Sequence, residues 1–467
     1  MTDLAVAGWG SRMGWVVRLI EMGTDNPAPS VDVLEFGQPR DFSNIASLGL
    51  TLAEAKQLMS RVQQAVVAAQ AHDHAVLRPD CSSCGGICHI KDWRLHHVAT
   101  LFGAVAVRLP RFRCTGCGHT EMGVSWPSHC RSTPELDQLR AHLSALMPYR
   151  VAAGVLVHLL PVETGKNHDT LRSHTLKIGR QLRDAATVKP VAATPLITVT
   201  VDSTFIRSCD EGERRLEVRV GNVETSDGGR QVFGCVARSD TDIATLIRRN
   251  LETAGRTAET AVTAFTDGCP GLQSILAKAG ITTPPIADWF HIAMRLQHAK
   301  QAASGLSTDE PRRIQAKTAI VAEVERLRWR IWNGKAKDAQ LTLERICKVM
   351  QVFKGERGHG TNGVPSRKLW HALHEIDDYL RSQSARLVNY AERYRAGLRV
   401  GTSVTEGTAN FLVNRRMNKS QQMRWSRRGA DLLLQVRCAV YNGTLRVGFS
   451  HLFEVAPSSD LPLAKAA

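Results

Sequence analysis

Three acidic residues lie far apart in the chain, each at a place where a strand or helix would point it into a common pocket: Asp202, Asp267 and Glu406. Asp202 ends the alternating run that begins at Ile197, and Asp267 ends the run 261–267. Glu406 opens a strongly basic helical segment. Carboxylates from separate segments are the ligands that hold two hard cations, which stabilise the attacking and leaving oxygens of a phosphodiester. The sequence therefore predicts a metal-dependent site that cuts and joins DNA.

Each acid also has an ordinary structural explanation. Aspartate at the end of a strand is common as a turn or helix-cap residue. Ser403-x-x-Glu406 fits a capping box, in which the glutamate only accepts a backbone N–H. Glu375 and Glu392 are other acids of the late helices that can supply the third ligand, so Glu406 is the weakest member of the set.

Two cysteine pairs have the spacing of metal ligands. Cys81-x-x-Cys84 and Cys114-x-x-Cys117 are separated by 29 residues that are typical of a hairpin. A hairpin brings the two turns together as a four-sulfur site, the geometry that structural Zn²⁺ prefers, and a redox dithiol or unliganded thiols are the alternatives. Several nearby residues can replace a ligand, although bystander residues are the favoured interpretation: Cys88, His89, His119, His129 and Cys130.

The elements that must position the acids form an α/β pattern. Predicted strands cover Ile197–Thr200, Leu216–Val223 and Gln231–Ala237, with a turn at Gly228-Gly229. A predicted helix, a strand that leads to Asp267 and a further helix follow. This is the order of a ribonuclease-H-like core, in which Asp202 and Asp267 would lie on neighbouring strands.

The rest of the chain divides by pattern. A helix over 52–69, a hairpin between the cysteine pairs and three short helices outline an amphipathic helix, a zinc ribbon and a helix-turn-helix. We therefore expect these segments: a poorly ordered N-terminus at 1–43, the amphipathic helix at 44–75, the zinc ribbon at 76–132, the helix-turn-helix at 133–186, the catalytic core at 197–291 and 401–450, an all-helical insertion at 292–400, and a tail at 451–467.

The overall charge favours nucleic acid as the partner. The chain of 467 residues has 60 Lys and Arg against 44 Asp and Glu, a net charge of +16. The sequence contains no run of about 18 apolar residues, so it predicts no membrane span. The first residues lack the pattern of a signal peptide. The cysteine usage fits a reducing compartment, so we expect a cytoplasmic protein associated with a bacterial nucleoid.

Three groups of residues are predicted to contact DNA. Arg172 and His174 lie on the outward face of the third helix of the helix-turn-helix, and a packed helix with a solvated face is the alternative. Arg328 and Trp329 belong to a run of alternating cations and aromatics that suits stacking on an unpaired base, although its tryptophans can equally belong to a core. The third group follows Glu406 and would face phosphates: Arg415, Arg416, Lys419, Arg424, Trp425, Arg427 and Arg428.

At these motifs the chain resembles a known family. The stretches Val199–Thr204, Phe265–Gly268, Asp288-Trp-Phe-His291 and Glu406–Asn410, with 422–430 downstream, are similar to the DDE transposases of bacterial insertion sequences, in particular the ISKra group, which is related to Mutator-like transposases. The order of zinc ribbon, helix-turn-helix and core agrees, and the resemblance covers about residues 50 to 450.

The resemblance implies specific roles. Asp202, Asp267 and Glu406 would bind Mg²⁺ or Mn²⁺, and Asp288-x-x-His291 would be the signature that follows the second aspartate, with His291 in the active site. The DNA would be double-stranded, namely the terminal inverted repeats and the target, and the protein would act as a homodimer or a higher assembly. The rival hypothesis is a catalytically inactive, domesticated transposase that acts as a DNA-binding regulator.

Overall fold

The computed structural model describes most of the chain. The described residues are 13–20, 30–38, 45, 49–122, 124, 131–162, 167–184, 192–236, 239–354, 364–418, 423–446 and 464–465. They form a mixed α/β protein with two compact units, one containing residues 1–182 and 443–467 and the other containing 183–442. No described helix is long and apolar enough to cross a membrane.

The first unit contains two antiparallel sheets formed by neighbouring strands, and four helices. The sheet strands are β1 (Met13–Leu19), β2 (Val31–Gln38), β4 (Cys88–Thr100), β5 (Gly103–Cys114) and β6 (Thr120–Glu121). A third pair consists of β3 (Leu77–Arg78) and β12 (Ala464–Lys465). The helices are α1 (Leu52–Val76), α2 (Pro134–Leu146), α3 (Tyr149–Leu159) and α4 (His168–Asp184).

The predicted helix, hairpin and three short helices of this unit are confirmed as elements. A true capping box begins α1: the Thr51 hydroxyl accepts from the Glu54 N–H, and the Glu54 carboxylate accepts from the Thr51 N–H. The β4–β5 hairpin runs in register from Cys88 opposite Cys114 to its turn.

The prediction of a poorly ordered N-terminus is wrong for residues 13–19 and 31–38. These residues pair as the antiparallel strands β1 and β2, with Arg18 bonded across the pair to Asp32. Val33 and Leu34 are buried, and the Arg61 side chain of α1 donates to the Val33 carbonyl. The strands are short and each contains two valines, and β-branched residues favour strand pairing. The rest of the predicted segment 1–43, and nearly all of the tail 451–467, lies outside the described residues.

The second unit is built on a five-stranded sheet in the order β11-β10-β7-β8-β9. Its strands are β7 (Leu196–Arg207), β8 (Arg215–Thr225), β9 (Arg230–Cys235), β10 (Ala261–Thr266) and β11 (Ile286–Ala287). The strands β7, β8 and β9 form an antiparallel meander, whereas β10 is parallel to β7 and β11 is parallel to β10. The two-residue strand β11 was not predicted.

Helices cover both faces of this sheet. The side chains of β7 point alternately to one face and to the other. Ile197, Val199 and Val201 pack in one core with α5 (Asp240–Thr253) and α6 (Pro270–Lys278). On the other face, residues of β7, β8 and β9 pack in a second core with three helical segments: α12 (Ser403–Ala409), a π-helix (Asn410–Asn418) and α13 (Arg427–Tyr441).

A helical region with its own core lies between α6 and α12 in sequence. Its helices are α7 (Trp289–Ser304), α8 (Pro311–Trp332), α9 (Ala336–Met350), α10 (Pro365–Gln383) and α11 (Tyr390–Arg395), with 3-10 turns at Gln351–Phe353 and Ser384–Arg386. The helical character predicted for 292–399 is confirmed. The predicted helix over 369–395 is broken, because the Asn389 side chain caps a new helix at Tyr390.

Candidate functional site

Asp202 lies on β7, and Asp267 directly follows the neighbouring strand β10. Residues of β10 pair with residues of β7 at a constant offset, from Ala261 opposite Leu196 to Phe265 opposite Thr200. The pairing ends there, and Asp267 follows Thr266, the last residue of β10, so it lies next to the strand that carries Asp202.

Asp202 lies inside a strand rather than at its end. β7 continues to Arg207, and Asp202 pairs there with Val220 of β8. Thr200 and Asp202 share the face opposite the Ile197, Val199 and Val201 core, because side chains alternate along a strand. The face that carries Asp202 is the one covered by α12.

Burial and neighbouring charges raise the pKa of Asp202. Burial is the largest cause; the backbone N–H of Ser203 and the charge of His291 oppose it, and the carboxylates of Asp267 and Glu406 add to it. Asp202 therefore lies close enough to His291, Asp267 and Glu406 for their charges to act on it. A partly buried group of like charges is a common arrangement for binding a cation.

Asp288 links the start of α7 to the chain that leads into α12. Its carboxylate is fully buried and accepts hydrogen bonds from the Phe290 N–H at 3.0 Å, the Thr402 N–H at 2.8 Å, the Thr402 hydroxyl and His291 Nδ1 at 2.6 Å. Gly401 is required there, since a Cβ would lie 2.6 Å from the Asp288 carboxylate. These contacts fit a structural role for Asp288.

His291 is held beside the acids by Asp288. The hydrogen bond that His291 donates to Asp288 is the largest cause that raises the pKa of His291; burial lowers this pKa, and the charges of Asp288, Asp202 and Asp267 raise it further. Burial alone would raise the pKa of Asp288, but its hydrogen bonds outweigh burial and lower it. The imidazolium form of His291 is therefore favoured next to Asp202 and Asp267.

A buried polar network fixes α12 on the sheet. The Thr405 hydroxyl donates to the Thr200 hydroxyl and accepts from Asn222 Nδ2 at 2.9 Å, while the Thr408 hydroxyl donates to Asn222 Oδ1 at 3.3 Å. Thr405, Thr408 and Asn222 are all buried. Buried polar groups are costly to leave unpaired, so these bonds hold the helix in one register.

Glu406 follows Thr405 directly and is exposed. The capping-box explanation for it is wrong: Thr402, not Ser403, is the N-cap residue of α12, and its side chain makes no capping hydrogen bond. Among the described residues its carboxylate has no hydrogen-bond partner. Of the rival acids, Glu375 lies on α10 beside His371, and Glu392 belongs to the first turn of α11.

The acids are not drawn together as tightly as the cysteines are. Among the described residues, the only group of three or more His, Cys, Asp or Glu side chains with ligand atoms within 4.8 Å of one another is Cys81, Cys84, Cys114 and Cys117. The sulfur atoms of Cys81 and Cys117 are 3.4 Å apart, and those of Cys84 and Cys114 are 3.5 Å apart. Four thiolates around one zinc ion stand about 3.8 Å apart, so the four cysteines can hold a metal ion.

Local backbone geometry builds this cluster. Gly85 and Gly118 each follow a cysteine pair with positive φ, 70° and 75°, and their N–H groups bond back to Cys81 and Cys114. The backbone N–H groups of Cys117 and Gly116 lower the pKa of Cys114 to about 6. The backbone N–H of Gly86 lowers the pKa of Cys84, but the neighbouring thiols of Cys114, Cys117 and Cys81 outweigh it and raise that pKa to about 12. Cys88 is buried outside the group, and His119 lies beside Glu121.

The predicted DNA-contacting residues separate into exposed and buried sets. Arg172, Arg328, Arg415, Arg424 and Arg428 are exposed, and Trp329 is 64% exposed. Arg328 and Trp329 line a cavity of about 210 Å³ with Trp289 and Trp332, and the rings of Trp289 and Trp332 are 4.7 Å apart. Lys419 lies outside the described residues, as do His129 and Cys130.

For Arg416 and Trp425 the prediction of DNA contact is wrong. Arg416 is 1% exposed and lies over the ring of Trp425, which is itself buried and donates its indole N–H to the Met417 carbonyl. Both side chains belong to the core that supports the π-helix. Arg437 is also buried and donates to the carbonyl oxygens of Phe411 and Leu412; burial lowers its pKa to about 9.

Two further predicted contacts are engaged within the protein. The Arg427 side chain bonds to both oxygens of Glu213 at 2.9 and 2.8 Å. His174 Nδ1 lies 3.3 Å from the buried carboxylate of Asp137. Both side chains have an intramolecular role that the sequence pattern did not indicate.

Comparison with known proteins adds no family. The chain matches no model of a known protein family, and no curated protein matches it significantly.

Proposed function

We propose that this protein is a DDE transposase, which cuts and joins DNA at the ends of an insertion sequence. The observation that carries the proposal is the approach of three acids from distant segments: Asp202 on β7, Asp267 directly after the neighbouring strand β10, and Glu406 on a helix bonded to β7. A purely structural acid of a turn or cap needs no such partners.

The sheet supports a ribonuclease-H-like core. Three meander strands, a helix and a fourth strand that returns parallel beside the first follow the order expected of that fold, with the helical region as an insertion before the third acid. The three helices α2, α3 and α4 are the elements that a helix-turn-helix needs. We assign the four-cysteine cluster to structural zinc in a ribbon that binds the inverted repeats with these helices.

The donor set of the acidic site fits Mg²⁺ or Mn²⁺. Asp202, Asp267 and Glu406 offer only carboxylate oxygens, which these cations prefer, and no sulfur ligand is included. Bound there, the metal would supply stabilisation for the charge that develops on the reacting phosphate and would activate water or a 3′-hydroxyl.

The surrounding side chains serve orientation. His291 in its imidazolium form is a cation that can bind a phosphate beside the acids, and Asp288 fixes its ring by the bond to Nδ1. Thr405 and Asn222 hold α12, and with it Glu406, against β7 and β8. Positioning and charge neutralisation account for most of the catalysis in phosphoryl transfer of this kind.

The test is cleavage of DNA that carries both flanks of the gene, with Mg²⁺. Asp202→Asn, Asp267→Asn and Glu406→Gln should each lower the cleavage rate by about a hundredfold or more, while DNA binding persists. Glu375→Gln, which changes a late-helix acid on α10, is the matched control and should cut at the normal rate. Undiminished cutting by the three variants would show that the acids are misassigned.

The same assay decides against the regulator hypothesis. A wild-type protein that binds the flanking DNA specifically but never cuts it, with Mg²⁺ or with Mn²⁺, would be a DNA-binding regulator. Cutting that depends on the three acids excludes that hypothesis.

A further inference from the structure

A basic cavity of about 270 Å³ lies in the first unit, where the β4–β5 hairpin meets the helices. Its polar lining comes from three segments: His97 on β4, Arg131 and Ser132 before α2, Arg140 on α2, and Thr170 and His174 on α4. Two arginines and two histidines around a space of this size form a site for an anion rather than for a cation or an apolar ligand.

The base of the cavity is rigid because one buried carboxylate organises it. Asp137 is fully buried, and its Oδ1 accepts from the Ser132 hydroxyl at 2.7 Å and lies 3.2 Å from Arg140 Nη1 and 3.3 Å from His174 Nδ1. Arg140 is itself only 2% exposed. One buried negative charge therefore fixes an arginine and a histidine, and the second nitrogen of His174 remains available to a ligand.

The rim supplies one cationic side chain, Arg131, that the described residues do not neutralise. Arg131 and His97 are exposed. Within the described part of the chain, the guanidinium of Arg131 has no hydrogen bond or ion pair, and only its backbone carbonyl is engaged, by the Ala99 N–H. With Arg140 balanced by Asp137, the charge of Arg131 is in excess and faces the cavity.

We propose that this cavity binds a backbone phosphate of DNA, with Arg131 as the main cationic contact and His97, Thr170 and His174 as further donors. The identification of the phosphate as one of DNA rests on the proposed function. A phosphate held between the hairpin and α4 would fix the orientation of α4, which carries Arg172, on the duplex without reading its sequence.

In the first measurement, the full-length, zinc-loaded protein is titrated with inorganic phosphate at constant ionic strength. The heat of binding is measured by calorimetry. Arg131→Gln should bind phosphate about tenfold or more weakly than wild type, because one charge-assisted contact is lost. Arg94→Gln is the matched control: it removes an exposed arginine of β4 that does not line the cavity. Equal phosphate binding by all three proteins would overturn the proposal.

The second measurement is the salt dependence of binding to the flanking DNA. In Arg131→Gln the slope of log K against log salt should fall by about 0.9, the contribution of one phosphate, with no such change in Arg94→Gln. An equal fall in both variants would indicate a diffuse basic surface and would overturn the proposal. Loss of phosphate binding without a change in slope would assign the cavity to free phosphate and would also overturn it.

The cavity and the acidic site fail separately in these tests. If Arg131→Gln changes phosphate affinity and slope as expected but wild type cuts no DNA, the cutting activity alone is wrong. If wild type cuts DNA through its three acids while Arg131→Gln alters neither measurement, the cavity assignment alone is wrong.

Discussion

The cysteine cluster and the acidic site are built in opposite ways. Each cysteine pair lies on one tight turn, the two turns are joined by one hairpin, and the four sulfur atoms lie within 4.8 Å of one another. The acids come from a mid-strand position, a strand end and a helix, and Glu406 stands 204 residues after Asp202. The first site depends on local geometry, whereas the second depends on the assembled sheet.

This difference determines what a metal ion would do at each place. Closely spaced thiolates repel one another once ionised, so a metal stabilises the hairpin that holds them. The acids are spread out and attached to an apolar core that exists without them, since Ile197, Val199 and Val201 pack on the opposite face. Metal is therefore expected to be structural at the cysteines and dispensable for folding at the acids.

Removing metal from the cysteine cluster should have the largest effect. Cys114→Ser, or treatment with a strong chelator, should unfold the β4–β5 hairpin, because structural zinc supplies about 10 kcal/mol or more to small metal-bound folds. Thermal unfolding of the full chain should then show early loss of the first unit, with the transition of the second unit unchanged. Cys209→Ser, at an exposed cysteine of the second unit, is the control and should behave as wild type. A normal transition in Cys114→Ser would contradict a structural metal.

Loss of Asp288 should have the next largest effect, because it removes a buried charge with four bonds. Asp288→Ala should cost about 3 kcal/mol of unfolding free energy and should also abolish DNA cleavage, since His291 and the start of α12 lose their anchor. Denaturant unfolding and the cleavage assay measure the two effects. Asp309→Ala, at an exposed aspartate whose side chain is 76% exposed, should change neither. Full activity with Asp288→Ala would contradict the positioning role.

The parts of both sites that follow a short sequence pattern could be predicted. The spacing of the cysteines indicates their cluster, and the alternation of β7 and β10 predicts that Asp202 and Asp267 lie at adjacent strands. The helices and strands of the α/β pattern follow from the same periodicities. Each of these features follows from short local patterns: two CxxC turns, and strands with alternating apolar residues.

The contacts that orient Glu406 could not be predicted, because they join residues about 180 to 200 apart without any periodic pattern. Thr405 and Asn222 look like ordinary polar residues until the sheet brings them together. The burial of Arg416 and Trp425 is hidden for the same reason: a basic run predicts exposure, and only the packing of the π-helix on α13 shows otherwise. Long-range polar packing is thus the part of this fold that composition and spacing do not report.

The network under α12 can be tested with a substitution that keeps its shape. Thr405→Val should cost about 1 to 3 kcal/mol, because Asn222 and Thr200 lose a buried partner, and it should lower cleavage more than DNA binding. Thr405→Ser restores the hydroxyl and should recover most of the rate. Thr318→Val is the control, since Thr318 is exposed on α8 and bonds only within its own helix. Equal rates for the valine and serine variants would show that volume, not hydrogen bonding, places Glu406.

The smallest expected effect is the pH dependence of the pair formed by His291 and Asp288. The folded-state pKa of His291 is raised above 6.5, so its contribution to stability is fully present below pH 6.5 and is lost as pH rises through the raised value. The pKa of Asp288 is lowered below 3.8, so its contribution is present above pH 3.8 and is lost as pH falls through the lowered value. The pair should therefore stabilise the fold most between pH 3.8 and 6.5.

Denaturant titration at several pH values measures this effect. The unfolding free energy of wild type minus that of His291→Gln should be largest in that window and should shrink above it. A difference that grows with pH would mean that His291 is neutral in the fold, and the acidic site would then lack the cation proposed to meet the phosphate.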